Sequence, residues 1–144
     1  MRGYVVDASV AVKWLVTEPL SDEAASLLDS GVTLLAPDLM FAEAASALSA
    51  KCGRGEIDRE ELAEIVNLMR AAPVAVPLST RQLAASSTRL AADLGHPVYD
   101  CFYLALAIDE GYPVVTADTR FYRKVRKHPY LGDRMVHVAD IAFS

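Results

Sequence analysis

Short runs of β-branched residues alternate along the chain with longer stretches whose apolar residues recur every three or four positions. The first pattern predicts buried strands and the second amphipathic helices. Tyr4 to Asp7 reads as a strand, and a helix with Val10, Trp14 and Leu15 on one side follows. "TEPLSDEAASLLDSG" is a loop and a second helix, capped in part by Ser21 and ended by Gly31. "VTLLAP" is a strand, and Asp38 to Cys52 an Ala-rich helix closed by Gly53 and Gly55. Asp58 caps a fourth helix carrying Leu62, Ile65, Val66 and Met69. "APVAVPL" is extended, and its prolines suit an edge strand. Ser79 or Thr80 opens a long helix with Leu83, Leu90 and Leu94, stopped by Gly95. "HPVYD" reads as a turn ahead of the apolar helix "DCFYLALAIDEG". A strand "YPVVTA", a helix from Thr119 to Lys127 and a short strand in "RMVHVAD" complete the series. This alternation predicts one α/β domain over residues 1–144. Its central sheet would be mostly parallel, with about five short strands and helices on both faces.

Composition narrows the function classes. The formal net charge is −5, so no global positive field draws in a polyanion. A nucleic-acid role needs a local patch, and "VVTADTRFYRKVRKH" offers one. Cys52 and Cys101 lie far apart in helical contexts without metal-type spacing, which suits free thiols in a reducing cytosol. The start "MRGYVVDASV" has no leader pattern, and no apolar run approaches the roughly 18 residues of a membrane span. The expectation is a soluble, cytoplasmic protein with no membrane contact.

Four acids stand out. Asp7 and Asp118 each end a strand and precede a helix, where Asp is a favoured N-cap. Two strands ending in Asp also fit a ligand crevice, which in open α/β sheets lies at the carboxyl ends of the strands. Asp100 opens its helix in line with the stripe Tyr103, Leu104, Ala107 and Ile108, so it points inward rather than to bulk water, with a helix cap as the alternative. Glu43 sits among small and apolar residues, with Leu39 and Ala47 at i−4 and i+4 and hence no cation to pair with. A solvated Ala-rich helix face is the alternative for Glu43. If the acids converge, one carboxylate pair at about 4 Å costs on the order of 4 kcal/mol at an effective dielectric near 20. Several such pairs would rival the roughly 5–15 kcal/mol that holds a domain together. The site would then take up protons or cations, and all-oxygen ligands favour Mg²⁺ or Mn²⁺.

Other chemistry is excluded. No Walker A, Gly-x-Ser-x-Gly or His-Glu-x-x-His sequence occurs. His96, His128 and His137 show no ligand spacing. "GRG" at Gly53 to Gly55 is a helix stop. Asp7 is followed by Ala8 and Ser9 rather than an acid two positions on, against an aspartyl-phosphate phosphatase. A phosphoacceptor receiver domain would need a mid-chain acceptor Asp, and neither "VTLLAP" nor "PVAVPL" ends in one.

"VVDASVAVKWL", "PDLMFAEAASAL", "VYDCFYLALA" and "VVTADTRF" together resemble the four motifs of PIN-domain ribonucleases, in an arrangement similar to the VapC-type toxins of VapBC toxin–antitoxin modules. The resemblance spans essentially the whole chain and implies a PIN-like three-layer sandwich. It implies that Asp7, Glu43, Asp100 and Asp118 form one catalytic, metal-binding cluster, supported by Ser9 and Thr116. Ser46 stands where the family often has Asn. The implied activity is Mg²⁺- or Mn²⁺-dependent endoribonuclease cleavage, with in-line displacement leaving a 5′-phosphate and a 3′-hydroxyl. A cognate small antitoxin that presents a cation to the acidic site, and a homodimer, are implied as well. Arg120, Arg123, Lys124, Arg126 and Lys127 would then hold the RNA backbone, and Phe121 and Tyr122 offer rings for stacking, with core packing favoured for Phe121. The alternative is a catalytically weak PIN-like or receiver-like metal-binding module that binds RNA or a protein partner.

Overall fold

The computed structural model describes residues 2–29 and 31–141. Four parallel strands form one sheet: β1 (Gly3–Val6), β2 (Thr33–Leu35), β3 (Val114–Thr116) and β4 (Met135–His137), in the order β2-β1-β3-β4. Val5 pairs with both Leu35 and Val114, and Thr116 with His137. Helices cover both faces, as in a three-layer PIN-like sandwich. They are α1 (Ala8–Leu15), α2 (Ser21–Asp29), α3 (Leu39–Gly53), α4 (Arg59–Arg70), α5 (Thr80–Leu94), α6 (Val98–Glu110) and α7 (Thr119–Arg126).

Among the described residues the sheet has four strands rather than about five. "APVAVPL" contributes a single parallel bridge, Ala75 to Leu35, outside β2. Ala75 N–H donates to the Leu34 carbonyl and its own carbonyl accepts from Ala36, both at 3.0 Å. Pro73 and Pro77, on either side, have no N–H to extend that ladder. The apolar helix also starts earlier than expected, at Val98, because Pro97 at its N-cap has φ −54° and leads directly into the first turn. Asp100 is therefore inside that turn. Ser21 does not cap α2. Its hydroxyl accepts from Glu18 N–H and donates to the Val16 carbonyl, closing the α1–α2 loop instead.

Local chemistry explains several helix starts. Ser79 and Gln82 form a reciprocal capping box at α5, and Asp58 Oδ1 accepts from Glu61 N–H at α4. Asp38 accepts from Thr80 N–H at 3.0 Å, tying the start of α3 to the start of α5. The main core joins Val5, Val6, Val114 and Val115 of the sheet to Tyr103 and Leu104 of α6 and Phe121 of α7, all fully buried. A second cluster of Val12, Ala44, Leu48, Ile57 and Met69 holds α1, α3 and α4 together beyond the sheet. Gly3 is required where it stands: a Cβ there would lie 2.8 Å from the Tyr112 ring and 2.9 Å from the Thr33 carbonyl oxygen.

Candidate active site

Parallel pairing of β1 and β3 brings their C-terminal ends together, and with them Asp7 and the Thr116–Asp118 turn. The sheet edge opens into a cavity of about 460 Å³. Asp7, Glu43, Asp100 and Asp118 all line it, with Ser9 beside Asp7. The four acids come from the end of β1, the first half of α3, the first turn of α6 and the cap of α7.

Each carboxylate is held by the protein through one oxygen. Asp7 Oδ2 accepts from Thr116 Oγ1 at 2.7 Å and Ser9 Oγ at 2.8 Å. Thr116 Oγ1 in turn accepts from Asp118 N–H, and Ser9 Oγ from Ala117 N–H, each at 3.0 Å. Glu43 Oε1 accepts from the Tyr103 hydroxyl at 2.6 Å. His96 Nε2 stands 2.7 Å from Asp100 Oδ2. Asp118 Oδ1 accepts from the N–H groups of Arg120 and Phe121, so this acid does cap its helix. Asp7 sits at the N-cap position of α1 without capping it, although the chain there is extended. Among the described residues, no further hydrogen bond engages the second oxygen of any of the four.

The electrostatics are those of crowded, half-dried acids. Burial pushes the Asp7 carboxyl up to about 6, against the hydrogen bonds from Thr116 and Ser9 and with help from the charges of Asp100 and Glu43. Burial also raises Glu43, offset in part by the Tyr103 hydrogen bond and reinforced by Asp100. Asp100 is raised by burial, with His96 pulling it back and Asp118 adding to the rise. Among the described residues, no three metal-ligating side chains are drawn close enough to make a finished cage. What exists is a wall of hard oxygen donors around a shared space. That donor set, anchored on one side and with Asp7, Glu43 and Asp100 raised in pKa by burial and by neighbouring acids, fits a hard divalent cation such as Mg²⁺ or Mn²⁺.

The remaining expected residues divide. Ser9 and Thr116 stand against Asp7. Ser46 is exposed and outside the cavity; Ala47, one turn beyond Glu43, faces it instead. Arg120, Arg123, Lys124, Arg126 and Lys127 are exposed along α7 and the residue after it, and none lines the cavity. Phe121 is core, stacked on His96 at 5.1 Å. Tyr122 is half-buried, edge-on to His137 with the Arg126 guanidinium 5.9 Å from its ring centre. Sequence reasoning missed five residues. Tyr103 and His96 anchor two of the acids, and the i, i+4 spacing of His96 and Asp100 was the available signal. Lys13, Glu18 and Lys51 also line the cavity, and the signal was that Ser9–Lys13 and Glu43–Ala47–Lys51 repeat at intervals of four.

A parallel α/β sheet with carboxylates gathered at the C-terminal edge of its strands has its ligand crevice where open α/β sheets place it. The PIN-domain family model matches residues 4–127, and the chain belongs to that family. This is the family to which the four motifs pointed. No curated protein matches the chain in sequence. Among solved structures, it is similar to PAE2754 from Pyrobaculum aerophilum, with a TM-score of 0.72 at 21% identity over 96% of this chain and 85% of that one. It is also similar to VapBC2 from Rickettsia felis, solved bound to a DNA fragment from their promoter. There the TM-score is 0.62 at 14% identity, over 94% of this chain and 98% of the other. Both likenesses are of fold.

Among the described residues no helix is long and apolar enough to cross a membrane. Cys52 and Cys101 are both free, and burial pushes the Cys101 thiol up to about 11.

Proposed function

We propose that this protein is a metal-dependent endoribonuclease and the toxin of a type II toxin–antitoxin pair. The observation that carries the reading is the convergence of Asp7, Glu43, Asp100 and Asp118 on one cavity, each with one oxygen tied back to the protein. A bound Mg²⁺ or Mn²⁺ would supply polarisation of a water and neutralise a phosphodiester oxygen. Asp7, Asp100 and Asp118 are the residues that would hold it, and Glu43 would complete the site or orient the water. Ser9 and Thr116 fix the Asp7 carboxylate, Tyr103 fixes Glu43, and His96 fixes Asp100, so the donor geometry is set before substrate arrives. Displacement is in line, giving a 5′-phosphate and a 3′-hydroxyl.

The cytoplasm, a cognate antitoxin that blocks the acidic cavity, and a homodimer belong to the same proposal. Family membership supports them, together with exposed apolar residues such as Leu68 and Tyr99 on the helical surface. The test is cleavage of labelled RNA with added Mg²⁺ or Mn²⁺, with EDTA, and with Asp7→Asn and Asp100→Asn. Cleavage should require the metal and both acids. Undiminished cleavage by the metal-free protein would overturn the proposal.

A further inference from the structure

The acidic cavity has a basic end. Lys13 and Lys51 line it, and among the described residues they are the only cations that do. Lys13 lies one turn beyond Ser9 on α1, and Lys51 two turns beyond Glu43 on α3. At 1.5 Å per residue, the lysines stand about 6 and 12 Å further along their helices than those acid-site residues. Both helices thus carry a stripe that begins in the acid cluster and ends in an ammonium group.

Glu18 bridges the two lysines. Its Oε1 is 3.1 Å from Lys13 Nζ and its Oε2 is 3.0 Å from Lys51 Nζ. The side chains are only 11% and 18% exposed for the lysines and 22% for Glu18, so the pairs are sheltered. Burial pushes the Glu18 carboxyl up, and the hydrogen bonds from Lys51 and Lys13 outweigh it and hold it below the ordinary value. Glu18 is delivered by a tight loop. Ser21 accepts from Glu18 N–H at 3.0 Å and donates to Val16, and Leu20 adopts φ 71°, the left-handed region that a branched side chain disfavours. Lys51 has a second acid, Glu56, 3.9 Å away.

A carboxylate that offers one oxygen to each of two ammonium groups has the charge and fork of a phosphodiester with its two non-bridging oxygens. An RNA strand that enters an acidic cavity in an acidic protein needs cations inside it, and the α7 run lies outside. Resting on the nuclease reading, we propose that Lys13 and Lys51 form the seat for a backbone phosphate beside the scissile one, and that Glu18 occupies this seat until RNA displaces it. Glu18 is then a built-in competitor of substrate, and its release sets part of the binding affinity.

The test uses labelled single-stranded RNA titrated without divalent ions, at several salt concentrations, into an Asp7→Asn background. Lys51→Met and Lys13→Met keep the aliphatic stems that pack in the cavity wall. Each should weaken binding about tenfold or more and flatten the log–log salt slope by about 0.7. Glu18→Gln should tighten binding. A purely structural tether would weaken binding in all three variants alike, and that result, or an unchanged slope in the lysine variants, would overturn the seat. Cleavage by the otherwise unsubstituted protein in Mn²⁺ is measured alongside. Cleavage with unchanged slopes would remove the seat and keep the nuclease. No cleavage with the expected binding changes would remove the nuclease and keep the seat.

Discussion

Asp7→Asn should make the metal-free protein more stable at neutral pH, although it removes the residue placed at the centre of the site. Asp7 is only 5% exposed, and its carboxyl is raised to about 6 from 3.8. The folded state therefore binds a proton more tightly than the unfolded chain. The stability this group contributes is fully present below pH 3.8 and is lost as pH rises through about 6. The gap between those values corresponds to about 3 kcal/mol at 1.36 kcal/mol per pH unit. Asn keeps an acceptor oxygen for Ser9 and Thr116 and turns an amide toward the cavity, which offsets part of the gain. A net gain of about 2 kcal/mol, or roughly 6 °C in Tm, is expected at pH 7. The assay is thermal or urea denaturation in EDTA from pH 4 to 8. The difference between variant and wild type should be small at pH 4, grow through pH 6 and then level off. Added Mn²⁺ should stabilise the wild type and not the variant. A pH-independent difference, or a less stable variant at pH 7, would refute the electrostatic account of the site.

Tyr103→Phe removes one buried hydroxyl and frees Glu43 Oε1; metal affinity or turnover should fall about tenfold or more while the fold persists, measured by Mn²⁺ titration and RNA cleavage. Arg123, Lys124 and Arg126 changed together to Ala should flatten the salt slope for single-stranded RNA by about 2 if all three touch phosphates, at roughly 0.7 each. An unchanged slope would make this run a solvated helix face.

Much of this architecture was legible because strand and helix periods differ so clearly. Val5–Val6 and Val114–Val115 are fully buried as the apolar runs required, and Gly95 and Gly111 end their helices in the left-handed region. The acids were legible as individuals out of place, such as Glu43 without a cationic neighbour. Their convergence rests on the parallel pairing of β1 with β3, a contact between residues more than a hundred positions apart. No local pattern encodes that contact; the family likeness supplied it. "APVAVPL" misled because its extended character was real and its ladder was not. Lys13, Glu18 and Lys51 escaped notice because each reads alone as an ordinary surface charge. Only the folded loop, turned at Leu20, sets Glu18 between the two lysines.

Asp118 does two jobs. Its Oδ1 caps the start of α7 by accepting from the Arg120 and Phe121 N–H groups, and the carboxylate as a whole forms part of the cavity wall. Loss of the side chain therefore loosens the first turn of the basic helix as well as removing a donor, and a defect at this position mixes two causes. Asn preserves the cap at almost full strength while removing the charge, whereas Ala loses both, the cap alone accounting for about 1 kcal/mol. The pair of substitutions thus works as an internal control. Whatever Ala loses beyond Asn measures how far the order of α7 matters to the reaction, and whatever Asn loses by itself belongs to the charge.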